Sequence, residues 1–94
     1  MIPRRYAARR DANEVEIVRA LEAIGCSVLR VDAVDLIVGR AGVNYLIECK
    51  DGRKSAGNRP LTPAQKKLRA EWRGQYAVVT SVDEALAVVA GRAA

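Results

Sequence analysis

Glu48 and Lys50 flank Cys49 at the end of an apolar run, Val43 to Ile47, and Asp35 opens a second apolar run, Leu36 to Val38. Strand side chains alternate, so Glu48 and Lys50 share one face with Leu46, while Ile47 and Cys49 share the other. Two carboxylates with an ammonium beside them can hold a divalent cation through oxygen and keep a positive charge next to it. Left without a counter-charge, carboxylates this close raise a pKa or repel one another. The chain has no histidine, which removes His-based metal sites, His general bases and Ser-His-Asp triads together. Its two cysteines, Cys26 and Cys49, lie far apart. They suggest neither a disulfide framework nor a zinc site, and read as small apolar side chains. An oxygen-rich, histidine-free ligand set points to Mg²⁺ or Mn²⁺.

These residues need elements to position them. From Asp11 to Ile24 the apolar Val15, Val18, Leu21 and Ile24 recur at helical spacing, with Asp11 as cap and Gly25 as stop. Cys26 to Asp32 is short and rich in β-branched residues, and predicts a strand. Asp35 to Lys50 predicts two strands joined through Gly39-Arg40-Ala41-Gly42, whose glycines suit a tight hairpin turn. Residues 51–60 (DGRKSAGNRP) hold no apolar side chain larger than Ala and predict a mobile basic loop. Thr62-Pro63-Ala64-Gln65 is a helix start, with Thr as cap, Pro at the first helical position and Gln three on. That helix is expected to run to Trp72 or Arg73. Gln75 to Thr80 predicts a short buried strand. Ser81-Val82-Asp83-Glu84 is a second capping box, opening a last helix to Gly91. The whole of 1–94 reads as a single α/β domain with the order α-β-β-β-α-β-α. Its small mixed sheet is flanked by helices, and the Thr62 helix serves as a crossover to a parallel last strand.

A hairpin centred on Ala41 sets Asp35 opposite Ile47 to within one residue, so Asp35 falls beside Glu48 at one end of the sheet. Glu14 lies on the sheet-facing side of the first helix and is the carboxylate expected to reach that end. It also closes a capping-box pattern with Asp11, and both roles remain open. Gln65 has the same two readings: a capping-box glutamine, or an amide near Lys50 that orients water or phosphate. Its row continues through Leu68 and Trp72, which are expected to look inward to the sheet.

Asp35, Glu48-Cys49-Lys50, the helix Glu14 and Thr62-Pro63-Ala64-Gln65 together resemble the signature of the PD-(D/E)XK nuclease superfamily. The chain looks most like its small VRR-NUC type, related to archaeal-type Holliday junction resolvases. The resemblance runs from about Asn13 to Ala85, and Val34 stands where the signature has Pro. It implies a restriction-endonuclease-like core and a metal-dependent DNA endonuclease, selective for branched or junction DNA. By the same resemblance Asp35, Glu48 and the Cys49 carbonyl bind Mg²⁺ or Mn²⁺, and Glu14 assists at the metal. Lys50 activates water or stabilises the developing charge, and Gln65 stands beside the site. Asp35 takes the metal role over Asp32 because it directly precedes the apolar strand.

The 94-residue chain carries a formal charge of +5, unevenly spread. Arg4, Arg5, Arg9 and Arg10 make the N-terminal arm, 1–10, basic. Arg53, Lys54, Arg59, Lys66, Lys67 and Arg69 are the residues expected to meet DNA phosphates. The bland account of such clusters is a solvated surface. No segment has the apolar length of a membrane span or the apolar run of a signal peptide, so an intracellular, cytoplasmic protein is expected. A small footprint and the two-fold symmetry of four-way junctions favour a homodimer. No organic cofactor is expected. The runner-up reading is a non-catalytic nucleic-acid-binding module, and a third is a small structural or partner-binding protein with incidental charges.

Overall fold

The computed structural model describes residues 13–50 and 61–91. The basic arm, the Asp11 cap, the 51–60 loop and its Arg53, Lys54 and Arg59 lie outside the described residues.

Helix α1 (Asn13–Ala23) buries Asn13, Glu14, Ile17, Val18 and Leu21. Val15 and Ile24, expected in that stripe, are each 46% exposed. Steps of three residues fall short of a helical turn by about 60° each, so a row of them drifts. Val15 and Ile24 end on opposite flanks, and Glu14, Ile17, Val18 and Leu21, spaced three, four and seven apart, face the core. Gly25 ends the helix with φ 93°. Its N–H donates to the Glu22 carbonyl at 3.0 Å and the Cys26 N–H to the Leu21 carbonyl at 3.1 Å, the paired bonds of a Schellman stop.

Strand β1 (Ser27–Arg30) is shorter than the Cys26 to Asp32 expectation. The chain turns at Val31, whose N–H donates to the Asp35 carbonyl at 3.0 Å. Strands β2 (Leu36–Arg40) and β3 (Val43–Cys49) form the hairpin. Gly39 pairs with Asn44 inside the ladder, so the turn is Ala41-Gly42 alone, with φ of 52° and 78°. Positive φ at both positions matches the right-handed twist of the flanking strands.

Strand β4 (Tyr76–Val79) completes a four-stranded sheet in the order β1-β2-β3-β4. The first two pairings are antiparallel and β3–β4 is parallel. The fold is thus mixed α/β, with three helices about a mixed sheet. α1 and α3 (Val82–Val89) pack over the face carrying Leu36, Val38, Tyr45, Ile47, Cys49 and Val79, and close the core there. β4 is less buried than expected: only Val79 is buried, because β4 is an edge. Among the described residues no helix is long and apolar enough to cross a membrane.

Helix α2 (Pro63–Glu71) starts on a full Thr62/Gln65 capping box and buries no residue. Trp72 does not continue the Gln65–Leu68 row inward. It is the C-cap, extended at φ −73° and ψ 128°, which swings the indole off that row and leaves it 45% exposed. In α3 the capping box is half made. Ser81 Oγ accepts the Glu84 N–H at 3.1 Å, but the Glu84 carboxylate turns to the Thr80 N–H and hydroxyl, at 2.6 and 2.9 Å. At the other end of α3, Arg40 Nη1 donates to the Val89 carbonyl at 2.9 Å, setting a cation at the negative helix end.

Candidate functional site

β3 and α2 meet at three side chains. Glu48 is 1% exposed although it points to the face away from the main core. Its Oε2 lies 3.7 Å from Lys50 Nζ and accepts from Gln65 Nε2 at 2.6 Å. Gln65 Oε1 accepts from Lys50 Nζ at 3.2 Å and from the Thr62 N–H at 2.9 Å. A single amide therefore closes the helix cap and clamps the carboxylate and the ammonium. The capping role and the position beside Lys50 coexist in one geometry.

Asp35 joins this group from β2. The ladder pairs Leu36 with Ile47, so the next position along sets Asp35 opposite Glu48. Asp35 Oδ2 accepts the Cys49 N–H at 2.8 Å, a bond that pins the carboxylate against the end of β3. Asp32, the other candidate, is exposed. Glu14 arrives from α1. One of its oxygens, an Asp35 oxygen and Cys49 Sγ lie within 4.8 Å of one another, and Glu14 Oε2 is 3.5 Å from Arg30 Nε. The carboxylates are thus in two layers. Glu14 sits with Cys49 on the core side, Glu48 with Lys50 and Gln65 on the α2 side, and Asp35 reaches between them. Lys66, Lys67 and Arg69 are exposed on α2.

Burial drives the electrostatics. The Glu48 carboxyl is pushed up from 4.5 to about 8, first by desolvation, then by a hydrogen bond to Asp35 and the negative charge there. Lys50 opposes this by attraction and hydrogen bonding. Glu48 Oε1 is buried and has no hydrogen-bond partner among the described residues. A buried oxygen of this kind is costly unless something meets it. A proton or a cation between Asp35 and Glu48 satisfies it.

Two residues escaped the sequence reading. Asn13 is 5% exposed, and its Nδ2 donates to the carbonyls of Lys50 at 2.9 Å and Thr80 at 3.1 Å. It ties the start of α1 to the ends of β3 and β4 just where Lys50 leaves the sheet. Nothing in local spacing signals a bond across 37 residues. Tyr76, opposite Leu46 on β4, has a buried hydroxyl without a hydrogen-bond partner among the described residues. Its phenol is raised by burial and by the charges of Glu48 and Asp35, and lowered by Arg69.

Fold and site together define a mixed α/β protein with a buried carboxylate, lysine and amide cluster at one end of its sheet. Comparison of the chain with models of protein families, with curated proteins and with solved structures finds no match.

Proposed function

We propose that the protein is a Mg²⁺- or Mn²⁺-dependent DNA endonuclease with a restriction-endonuclease-like core of the PD-(D/E)XK, VRR-NUC type. The observation that carries this is Glu48: a buried carboxylate whose Oε1 lacks a donor, beside Asp35, with Lys50 held on its other oxygen. The donor set fits a hard divalent ion, since carboxylate oxygens dominate and no imidazole is present. Asp35 and Glu48 would hold it with the Cys49 carbonyl, and Glu14 stands near enough to Asp35 to support it. Such an ion, when bound, lowers the pKa of a water and offsets charge on a phosphate.

The chain's own residues supply the rest. Lys50 Nζ is held at the carboxylate by Gln65 and carries a positive charge toward the oxygens that become more negative as a phosphodiester is attacked. Gln65 bridges the two, donating to Glu48 at 2.6 Å and accepting from Lys50 at 3.2 Å. The bond from the Cys49 N–H fixes Asp35 before any ligand arrives, which lowers the ordering cost of binding. Branched or junction DNA, cut by a homodimer, is the favoured substrate form.

The test is metal-dependent cleavage of plasmid and synthetic four-way junctions, with EDTA as the control. Cleavage is expected in Mn²⁺ or Mg²⁺. Lys50→Ala and Asp35→Ala are expected to lower the rate by about 10²-fold or more while leaving the fold intact by circular dichroism. Variants that cleave as well as wild type would sink this reading. DNA binding without cleavage by the wild-type protein would leave the non-catalytic binding module standing instead. Equilibrium sedimentation at assay concentration is expected to show a dimer.

A further inference from the structure

A cavity of about 680 Å³ wraps the open edge of β4, lined by Tyr45, Arg69, Gln75, Tyr76, Val78 and Glu84 among others. Its volume falls within the range of small-ligand pockets. It adjoins the Glu48 cluster without being part of it. Val78, on its wall, is the ladder partner of Glu48, and Tyr76 is the partner of Leu46, so both stand on the face that carries Glu48.

Three observations give the cavity a chemistry. The Tyr76 hydroxyl is buried and has no hydrogen-bond partner among the described residues, a donor left unused at a cost. Arg69, from α2, enters the same cavity and is close enough to act on the Tyr76 phenol. The carbonyls of Gln75 and Val79 accept from the N–H groups of Leu46 and Lys50 across the β3–β4 ladder, at 3.1 and 2.9 Å. Parallel pairing alternates, so the backbone groups of Tyr76 and Val78 turn away from β3, to the free edge. A guanidinium, a phenol and edge N–H groups are all donors suited to phosphate oxygens. Glu84 on the far wall accepts from Thr80 through Oε1, and among the described residues it makes no ion pair with Arg69.

Resting on the nuclease reading above, we infer that this cavity is a nucleotide subsite. It takes the nucleotide that adjoins the cleaved bond, with the Tyr76 hydroxyl and Arg69 on its phosphate and the aliphatic side chain of Val78 against its sugar or base. The strand then passes from the Glu48 end of the sheet around the β4 edge. A phenol is protonated at neutral pH, hence a donor.

The experiment is an NMR titration of the full chain, in EDTA, with a 5′-phosphorylated thymidine dinucleotide. Saturable binding is expected, with shifts on β4 and α2. Tyr76→Phe, which keeps the ring, and Arg69→Gln should each weaken it about 10-fold, whereas Arg19→Gln, exposed on α1 and outside the cavity lining, should change it less than twofold. Equal affinity in Tyr76→Phe, or no saturable binding by wild type, overturns the subsite. Cleavage of junction DNA is scored separately with Mn²⁺ present. Cleavage without dinucleotide binding removes only the subsite, and binding without cleavage removes only the nuclease reading.

Discussion

Glu48 is where burial and charge conflict most sharply, and the conflict has a measurable pH signature. Its carboxyl lies at about 8 in the fold against an ordinary 4.5, so between those values the folded chain keeps a proton that the unfolded chain has lost. Folding therefore gains most below the lower value. Stability is lost as pH rises through the window, by at most about 1.4 kcal/mol per pH unit. Urea denaturation in EDTA across pH 5 to 9 is expected to show this fall, and Glu48→Gln, neutral throughout, is expected to flatten it. A wild-type curve as flat as the variant's would show that Glu48 does not hold the proton. At this scale the sequence was informative where chemistry is local. Glu48, Lys50 and Asp35 follow from strand alternation and hairpin register, and both depend on near neighbours. Asn13 and Tyr76 do not: each is defined by a partner, or the lack of one, supplied by a distant element.

At the scale of elements, Gln65 shows how a cap and a site can share one side chain, and this can be separated experimentally. Thr62→Ala removes the cap acceptor, leaving Gln65 able to reach Glu48 and Lys50, and is expected to cost about 1 kcal/mol of stability. Gln65→Ala removes the reciprocal cap bond and also releases both charged partners. Thermal denaturation should show a loss for both, larger for Gln65→Ala, which leaves the buried Glu48 Oε2 without its amide donor. Plasmid cleavage should fall strongly only for Gln65→Ala. If both cleave equally well, the amide serves the helix alone. Capping signals of this sort made α2 and α3 legible, as did the glycine that stops α1, because each is a bond between residues within a turn or two. The inward face of each helix was harder to read. Val15 and Ile24 are apolar at helical spacing yet flank the core, and the deeper positions include Glu14, whose burial depends on Arg30, Asp35 and Cys49 arriving from the sheet. Trp72 was misplaced for a related reason: a helix that ends one residue earlier turns its last side chain outward.

For the whole molecule, the distribution of charge decides how the protein would meet DNA. The chain carries +5 overall, and α2 places Lys66, Lys67 and Arg69 in solvent while burying none of its own residues. A helix held to the sheet by a capping glutamine and flanked by cations is better suited to a polyanion than to a hydrophobic partner. The salt dependence of binding measures that directly, because each phosphate neutralised releases counterions. Affinity for duplex or junction DNA, measured in EDTA from about 50 to 200 mM salt, is expected to fall linearly on logarithmic axes. Replacing Lys66, Lys67 and Arg69 together by Gln should lower the slope by about 0.9 for each of them that meets a phosphate. The fold should survive the change, since none of the three is buried. An unchanged slope would move the DNA face off α2 and leave its cations a solubilising role. A reduced slope with Lys50→Ala unchanged would separate the residues that hold the phosphate backbone from the one that acts at the bond.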